Sequence, residues 1–437
     1  MKWKIIEIYG KVWIEKREKC LNKPENSEKK PKYSLKMEKD KKITNLARRL
    51  LYNRDIKIKK GEEKMEKKKL AFIEVAAVWF GTHAGGGFAT GNQTKNFFVV
   101  GGWNSLWMPL VSILIIGLVY RASMIKALEA DTYDYRSWSK AMYKPSKVMP
   151  VIYEILYLTV AICGISASIA GGASLFQSYG LPYVAGILII GAIFFVLSIF
   201  GANLIRRAST VMTVVMAVLM ILICIIGLQA HAPELALSIQ QHESAPLGTS
   251  VWALLKYAGY QSVVLAIVVA VCKPLGNSKE VNKSVLVGYV MNAGILWLST
   301  IMLFAWKDQI AGTTLPTLTV IQSLGISWLQ IAYIVVLFLA FVSTGTTCTF
   351  ACVTRFEKVV KFSQNVTVVR AVLSIVIMVL CMLISTVGLD VIVLKGYGMA
   401  GILGIPFVII PVIAINLFGK KKQVSQTAVN PSMEEEI

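Results

Sequence analysis

From Leu70 onward the chain alternates long apolar runs with short polar, mostly basic segments. A run of about 20 apolar residues crosses roughly 30 Å of hydrocarbon as a helix. Ten such spans are present, over 70–94, 103–121, 148–176, 182–203, 208–229, 250–272, 284–306, 327–354, 367–388 and 396–418. At the centre of the first stands Gly85-Gly86-Gly87-Phe88-Ala89-Thr90-Gly91, where a lipid-embedded helix would hold its best helix formers. Glycine costs roughly 1 kcal/mol against alanine in a helix interior, and a backbone group without a partner in hydrocarbon costs several more. The pattern predicts a helix interrupted at membrane depth, its break facing protein, ion or solute.

Ten spans divide into two sets of five, and because five is odd the two sets run in opposite senses across the membrane. Equivalent spans share features. Span one is broken at Gly85–Gly91, and span six carries Tyr257-Ala258-Gly259-Tyr260-Gln261-Ser262 ahead of Pro274 and Gly276. Spans three and eight are both long and rich in small and hydroxylated residues, with Gly164-Ile165-Ser166-Ala167-Ser168 in one and Ser343-Thr344-Gly345-Thr346-Thr347 in the other. Small residues also serve close helix approach, but the paired positions of the polar ones favour an inverted repeat. The expected fold is an all-α integral membrane protein of ten helices in a five-plus-five inverted repeat, with helices one and six discontinuous. Its first repeat covers 70–229, an external loop 230–249 and the second repeat 250–418, between a basic segment 1–69 and a tail 419–437.

Composition agrees with this pattern. The chain has 437 residues, of which 55% are hydrophobic, and its mean hydropathy is +0.60, beyond the range of soluble domains. The net charge of +21 does not call for nucleic acid, because much of it lies before Leu70 and the rest marks alternate loops. Arg121 to Lys147 follow span two, Arg206 and Arg207 span four, Lys273 to Lys283 span six, Arg355 to Lys361 span eight and Lys420 to Lys422 span ten. The positive-inside rule then puts both termini in the cytoplasm of a multi-pass protein of the bacterial plasma membrane. The seven cysteines do not form a disulfide framework. The Lys-rich 1–69 reads either as a cytoplasmic tail near anionic lipid or, because Gly61-Glu62-Glu63-Lys64-Met65 back-translates to a purine-rich ribosome-binding sequence, as a leader before a start at Met65.

The stretch Gly81-Thr82-His83-Ala84-Gly85-Gly86-Gly87-Phe88-Ala89-Thr90-Gly91 with Phe97-Phe98 resembles the first-helix signature of the YkvI-like family of uncharacterised bacterial membrane proteins. Ala170-Gly171-Gly172-Ala173 with Gly180-Leu181-Pro182, and Gly388-Leu389 with Lys395-Gly396-Tyr397, add to the likeness, which extends from Leu70 to Phe418. That family is similar to the amino acid–polyamine–organocation superfamily, which implies the LeuT-type fold. One departure is that Asn92-Gln93 stands where family members often carry an acidic residue.

Several residues are candidates for a site. If span one unwinds at Gly85–Gly87, its outer half begins around Phe88, and its free N–H groups make a socket for a carboxylate. Gly85, Gly86, Gly87, Phe88 and Ala89 are then substrate-binding candidates. A break near Gly259–Ser262 in span six adds Tyr260, Gln261 and Ser262, and Tyr157 and Ser166 of span three close the pocket. Ordinary interhelical hydrogen bonding is the alternative for each side chain. Ser343, Thr346 and Thr347 offer uncharged oxygens that suit a weakly held monovalent cation. The resemblance implies a sodium site there, with Thr346 and Thr347 as ligands, Ser343 as helper and the backbone from Thr82 to Gly85 completing it. Back-bonding to the preceding turn is the competing role for such hydroxyls.

His83, the only histidine inside a span, and Glu154 are candidates for proton coupling. A hydrogen-bonded neutral histidine and a snorkelling glutamate are the simpler roles. Cys348 and Cys352, four apart, give a weak metal signal, and no cofactor is expected beyond a coupling sodium ion. The sequence carries no His-Glu-x-x-His, Gly-x-Ser-x-Gly or phosphate-loop motif, so an enzyme is not expected. The expectation is a symporter for a small neutral or zwitterionic solute such as an amino acid, with the bilayer as its surroundings. A non-transporting sensor on the same scaffold is the alternative.

Overall fold

The computed structural model describes residues 70–200, 202–357, 360 and 364–418. The segment 1–69, with the expected start at Met65, and the tail 419–437 lie outside the described residues. Among those described, eight helices are long and apolar enough to cross a membrane. They are Met108–Ala130, Met149–Gln177, Met212–Ala230, Leu247–Val271, Ser278–Ala305, Ser327–Phe356, Val366–Ser385 and Leu389–Phe418. Leu70–His83 and Tyr183–Ser198 are shorter apolar helices. These elements occupy the ten predicted spans in order.

Boundaries shift where local chemistry dictates. Span two begins only at Met108, after 3-10 turns at Val99–Gly101 and Trp103–Leu106. Pro109 in its first turn costs nothing there, because that N–H has no intrahelical acceptor. The helix continues to Ala130, so Arg121 and Lys126 ride on it rather than on a loop. Span ten starts about two turns early, at Leu389, and contains wide turns at Ile392–Tyr397 and Ile405–Ile409. Pro406 accounts for the second, since it lacks an N–H and crowds the preceding turn. The segment expected to be external folds into the helix Ala232–Gln241, and the connection after span seven forms the short helices Lys307–Ile310 and Pro316–Leu324.

Helix pairing displays the repeat. Spans two, three and four pack against their counterparts seven, eight and nine, the arrangement expected when a pseudo-two-fold axis relates two halves. The contacts also sort into two groups: spans six and seven each pack on span two, while spans three, four, eight and nine all pack on one another. Glycines permit the tightest approaches. A Cβ on Gly259 would strike the carbonyl oxygen of Gly401 in span ten, and one on Gly345 the ring of Phe194. On their outer faces the spans expose Leu114, Leu118, Val214, Val218, Val376 and Leu383, a distribution suited to hydrocarbon rather than water.

Candidate functional site at the break in span one

The first apolar helix ends at His83, Ala84 and Gly85 are non-helical, and one helical turn, Gly86–Ala89, follows. The expected interruption is therefore present, but the chain resumes helix at Gly86 rather than near Phe88. The resumed helix is itself broken. Gly91 takes a left-handed conformation (φ 76°) before the helix Asn92–Phe97. A Cβ there would lie 2.5 Å from Thr317 Oγ1, so glycine is needed on both counts. One turn carries little macrodipole, so attraction for an anion would come from individual N–H groups.

Among the described residues, the carbonyls of Gly81, Thr82, His83 and Ala84 receive no backbone hydrogen bond, and neither do the N–H groups of Gly85, Gly87 and Phe88 donate one. Gly86 N–H donates to Thr344 Oγ1 of span eight at 3.3 Å. The far end of the turn is closed by partners: Thr90 Oγ1 donates to Gly87 O at 2.8 Å, and Tyr333 O–H to Ala89 O at 2.7 Å. Phe341 fills the space between Gly86 and Gly171, 2.7 Å and 2.5 Å from where their Cβ atoms would be. The Gly87 Cβ position is taken by Gln93 Nε2 at 2.5 Å.

Span six meets this break through a buried polar cluster. His83 Nε2 and Tyr257 O–H share a 2.5 Å hydrogen bond. Gln261 Nε2 makes long contacts to the hydroxyls of Tyr257 (3.5 Å) and Tyr260 (3.3 Å), and Tyr260 O–H donates to Gln93 Oε1 at 2.9 Å. Phe88 packs on His83 with ring centroids 5.3 Å apart. His83 Nδ1 is buried without a hydrogen-bond partner.

Several expectations need correction. Span six is helical straight through Gly259–Ser262 and breaks at Val264–Leu265, before the short helix Ala266–Val271. Gly259 serves the contact with span ten, not the break. Tyr260 and Gln261 are in the polar cluster; Ser262 Oγ is buried with no hydrogen-bond partner, as are Ser166 Oγ and Thr346 Oγ1. Tyr157 does not close the pocket. Span three reaches the break at Gly171, 14 residues and roughly 21 Å further along the helix, whereas Tyr157 stacks on Tyr135 at 5.4 Å. Thr347 is exposed on the outer face of span eight, so the residue that meets the break is Thr344. Thr82 Oγ1 back-bonds to Val78 O at 2.8 Å, which leaves its carbonyl available. Ser343 is partly buried one residue before Thr344. Glu154 is no free carboxylate: it is ion-paired with Arg355 and lies 3.7 Å from Arg136. Among the described residues no three His, Cys, Asp or Glu side chains converge to hold a metal ion.

No known protein-family profile matches the chain. It is similar to the uncharacterized membrane protein YkvI of Bacillus subtilis (strain 168), 25% identical over 254 residues, which is 54% of this chain and 69% of that one. The fold is that of solved LeuT-type proteins. Superposition on MhsT, determined in complex with L-phenylalanine, gives a TM-score of 0.54 at 14% identity, covering 81% of this chain and 89% of MhsT. The Eremococcus coleocola manganese transporter, bound to an aromatic bis-isothiourea compound, gives 0.50 at 13% identity, covering 81% of each chain.

The sequence reading missed Thr344, Tyr257, Gln93 and Phe341, although all but Phe341 stand inside or beside the motifs it singled out. It also missed two tyrosines that serve the break in span six. Tyr120 O–H donates to Gln261 O and Tyr153 O–H to Val263 O, each at 2.9 Å. At the end opposite the basic loops, Asp390 Oδ1 accepts from Asn92 (3.1 Å), Lys95 (3.0 Å) and Asn96 (3.1 Å). A cavity of about 450 Å³ beside Lys95, Lys307 and Asp390 opens at that end.

Proposed function

We propose that this protein is a secondary transporter that carries a small neutral or zwitterionic solute of amino-acid type across the bacterial plasma membrane together with sodium. The observation that carries the reading is the break in span one. Four carbonyls without backbone partners precede Gly85 and Gly86, which meet the Thr344 hydroxyl, and neutral oxygens of this kind suit a weakly held hard cation. The buried Thr346 hydroxyl, which has no hydrogen-bond partner, lies on the same helix. The unpaired N–H groups of Gly85, Gly87 and Phe88 suit a carboxylate, and Tyr260, Gln261 and Ser262 supply neutral polar partners.

The packing into two groups of spans supports alternating access, in which spans two, six and seven rock with span one against the frame of three, four, eight and nine. The Asp390 network would close the outer side, and the basic loops face the cytoplasm with both termini. A proton-coupled version has one observation in its favour, the buried His83–Tyr257 hydrogen bond at the break. Uptake into proteoliposomes tests the proposal. An inward sodium gradient should drive accumulation of at least one amino acid from a panel, and an equal potassium gradient should not. Accumulation driven only by a proton gradient would transfer the coupling to His83. Saturable binding without accumulation under any gradient would make the protein a sensor.

A further inference from the structure

A second cavity, of about 540 Å³, lies at the end of the bundle that carries the basic loops. Arg136, Lys140, Lys144 and Lys147 line it with Ser139 and Ser146, and its floor is Pro150, Val151 and Glu154. Four cations thus face one carboxylate, which Arg355 already holds. Of the residues considered for transport only Glu154 lines this cavity, and it is ion-paired.

The walls are built rather than loose. The helix Tyr135–Met142 is capped by Asp134, whose carboxylate accepts the N–H groups of Arg136 at 3.1 Å and Ser137 at 3.0 Å. The fully buried Trp138 anchors that helix to span two through a 3.1 Å hydrogen bond to Ser123 O. Arg136 and Lys140, four residues apart, share the helix face turned to the cavity. The opposite wall is the first turn of span three, where Ser146 Oγ accepts Met149 N–H at 3.2 Å.

The cavity continues onto an apolar stripe. Val148, Val151 and Ile155 follow one another at helical spacing along span three and are 64%, 56% and 59% exposed. Val151 belongs both to the cavity lining and to this stripe. A ligand that fills both must have an anionic, hydrogen-bond-accepting head and an apolar tail leaving it toward hydrocarbon. We infer that the basic cavity and the Val148–Val151–Ile155 stripe form a binding site for one anionic phospholipid, its phosphate held by Arg136, Lys140, Lys144 and Lys147 and its acyl chain lying along span three.

Native mass spectrometry of the purified full-length protein tests this, with phosphatidylglycerol and phosphatidylcholine titrated in turn. One phosphatidylglycerol should be retained at least tenfold more tightly than phosphatidylcholine. The Lys140→Gln/Lys144→Gln variant should lose that preference, while Lys279→Gln/Lys283→Gln, which removes two charges from the first turns of span seven at the same end, should keep it. Melting in lipid-free detergent should be the same for both variants, which separates a lost site from a damaged fold. Val151→Ser should weaken retention of the lipid without changing binding of inorganic phosphate. Equal loss of preference in both lysine variants would reduce the effect to general charge attraction and overturn the site. Displacement of the lipid by millimolar inorganic phosphate, with the same stabilisation, would make it a free-phosphate site instead.

Discussion

At the break in span six the hydroxyls of Tyr120 and Tyr153 donate to the carbonyls of Gln261 and Val263. At the break in span one the carbonyls from Gly81 to Ala84 receive no backbone hydrogen bond among the described residues, and the nearby hydroxyl is that of Thr344. The two breaks occupy equivalent places in the repeat but resolve the same problem differently. A freed carbonyl in a dry interior must find a donor or a cation. Span six obtains donors for the Gln261 and Val263 carbonyls from its neighbours. Span one does not, which makes it the break with capacity left for a ligand. Equivalence in the repeat therefore does not mean equivalence in role.

The largest effect expected from a single substitution lies in the contact beside the span-six break. Gly259→Ala would drive a Cβ into the Gly401 carbonyl, a backbone atom that cannot rotate away. We expect a loss on the order of 3 kcal/mol, measured as little folded protein in detergent and a much lower melting temperature. The nearest atom to the new Cβ in Gly85→Ala is the Thr344 hydroxyl oxygen, at 3.2 Å. This variant should fold and instead blunt the response to sodium. If Gly85→Ala were the one that failed to fold, the assignment of structural and ligand-binding roles would be reversed.

Tyr120→Phe and Tyr153→Phe come next. Each leaves one carbonyl at the span-six break without its donor, at a cost of about 1–3 kcal/mol, and each should lower the melting temperature equally in sodium and potassium. A melting shift that appeared in only one salt would show that span six also takes part in cation binding. The smallest effect is expected from Asp390→Asn. Its pair with Lys95 is partly exposed, and such pairs contribute about 1 kcal/mol or less. A loss as large as that of Tyr153→Phe would mean that the outer network, rather than the packing around the breaks, holds the two groups of spans together.

The difference between the breaks also sets what was legible in the sequence. Span one announces itself, because three adjacent glycines in an apolar run have no good helical explanation. Span six gives no such signal. Its interruption falls at Val264–Leu265, ordinary apolar residues, and what allows it is tertiary: tyrosines from spans two and three reach the freed carbonyls. The polar run before it suggested a break, but Tyr257, Tyr260 and Gln261 are polar because they face His83 and Gln93 from an intact helix. In span eight the five residues Ser343–Thr347 cover more than a full turn of about 3.6 residues. Composition marked the segment, but only packing reveals that Thr344 faces the break and Thr347 faces out. The positions of the spans were readable because lipid leaves a helix few options, whereas the packing of spans two, three and four on seven, eight and nine comes from the fold alone.

The central claim, that the span-one break binds sodium with help from Thr344, is tested most directly by the melting temperature of purified Thr344→Val in sodium and in potassium, beside wild type and Thr347→Val. Valine keeps the shape of threonine and removes only the hydroxyl. Wild type and Thr347→Val should be stabilised by sodium over potassium. Thr344→Val should need at least about tenfold more sodium for the same shift, about 1.4 kcal/mol of binding, over and above the lower melting in potassium that follows when Gly86 N–H loses its acceptor. A sodium shift that survives Thr344→Val and disappears in Thr347→Val would contradict the account.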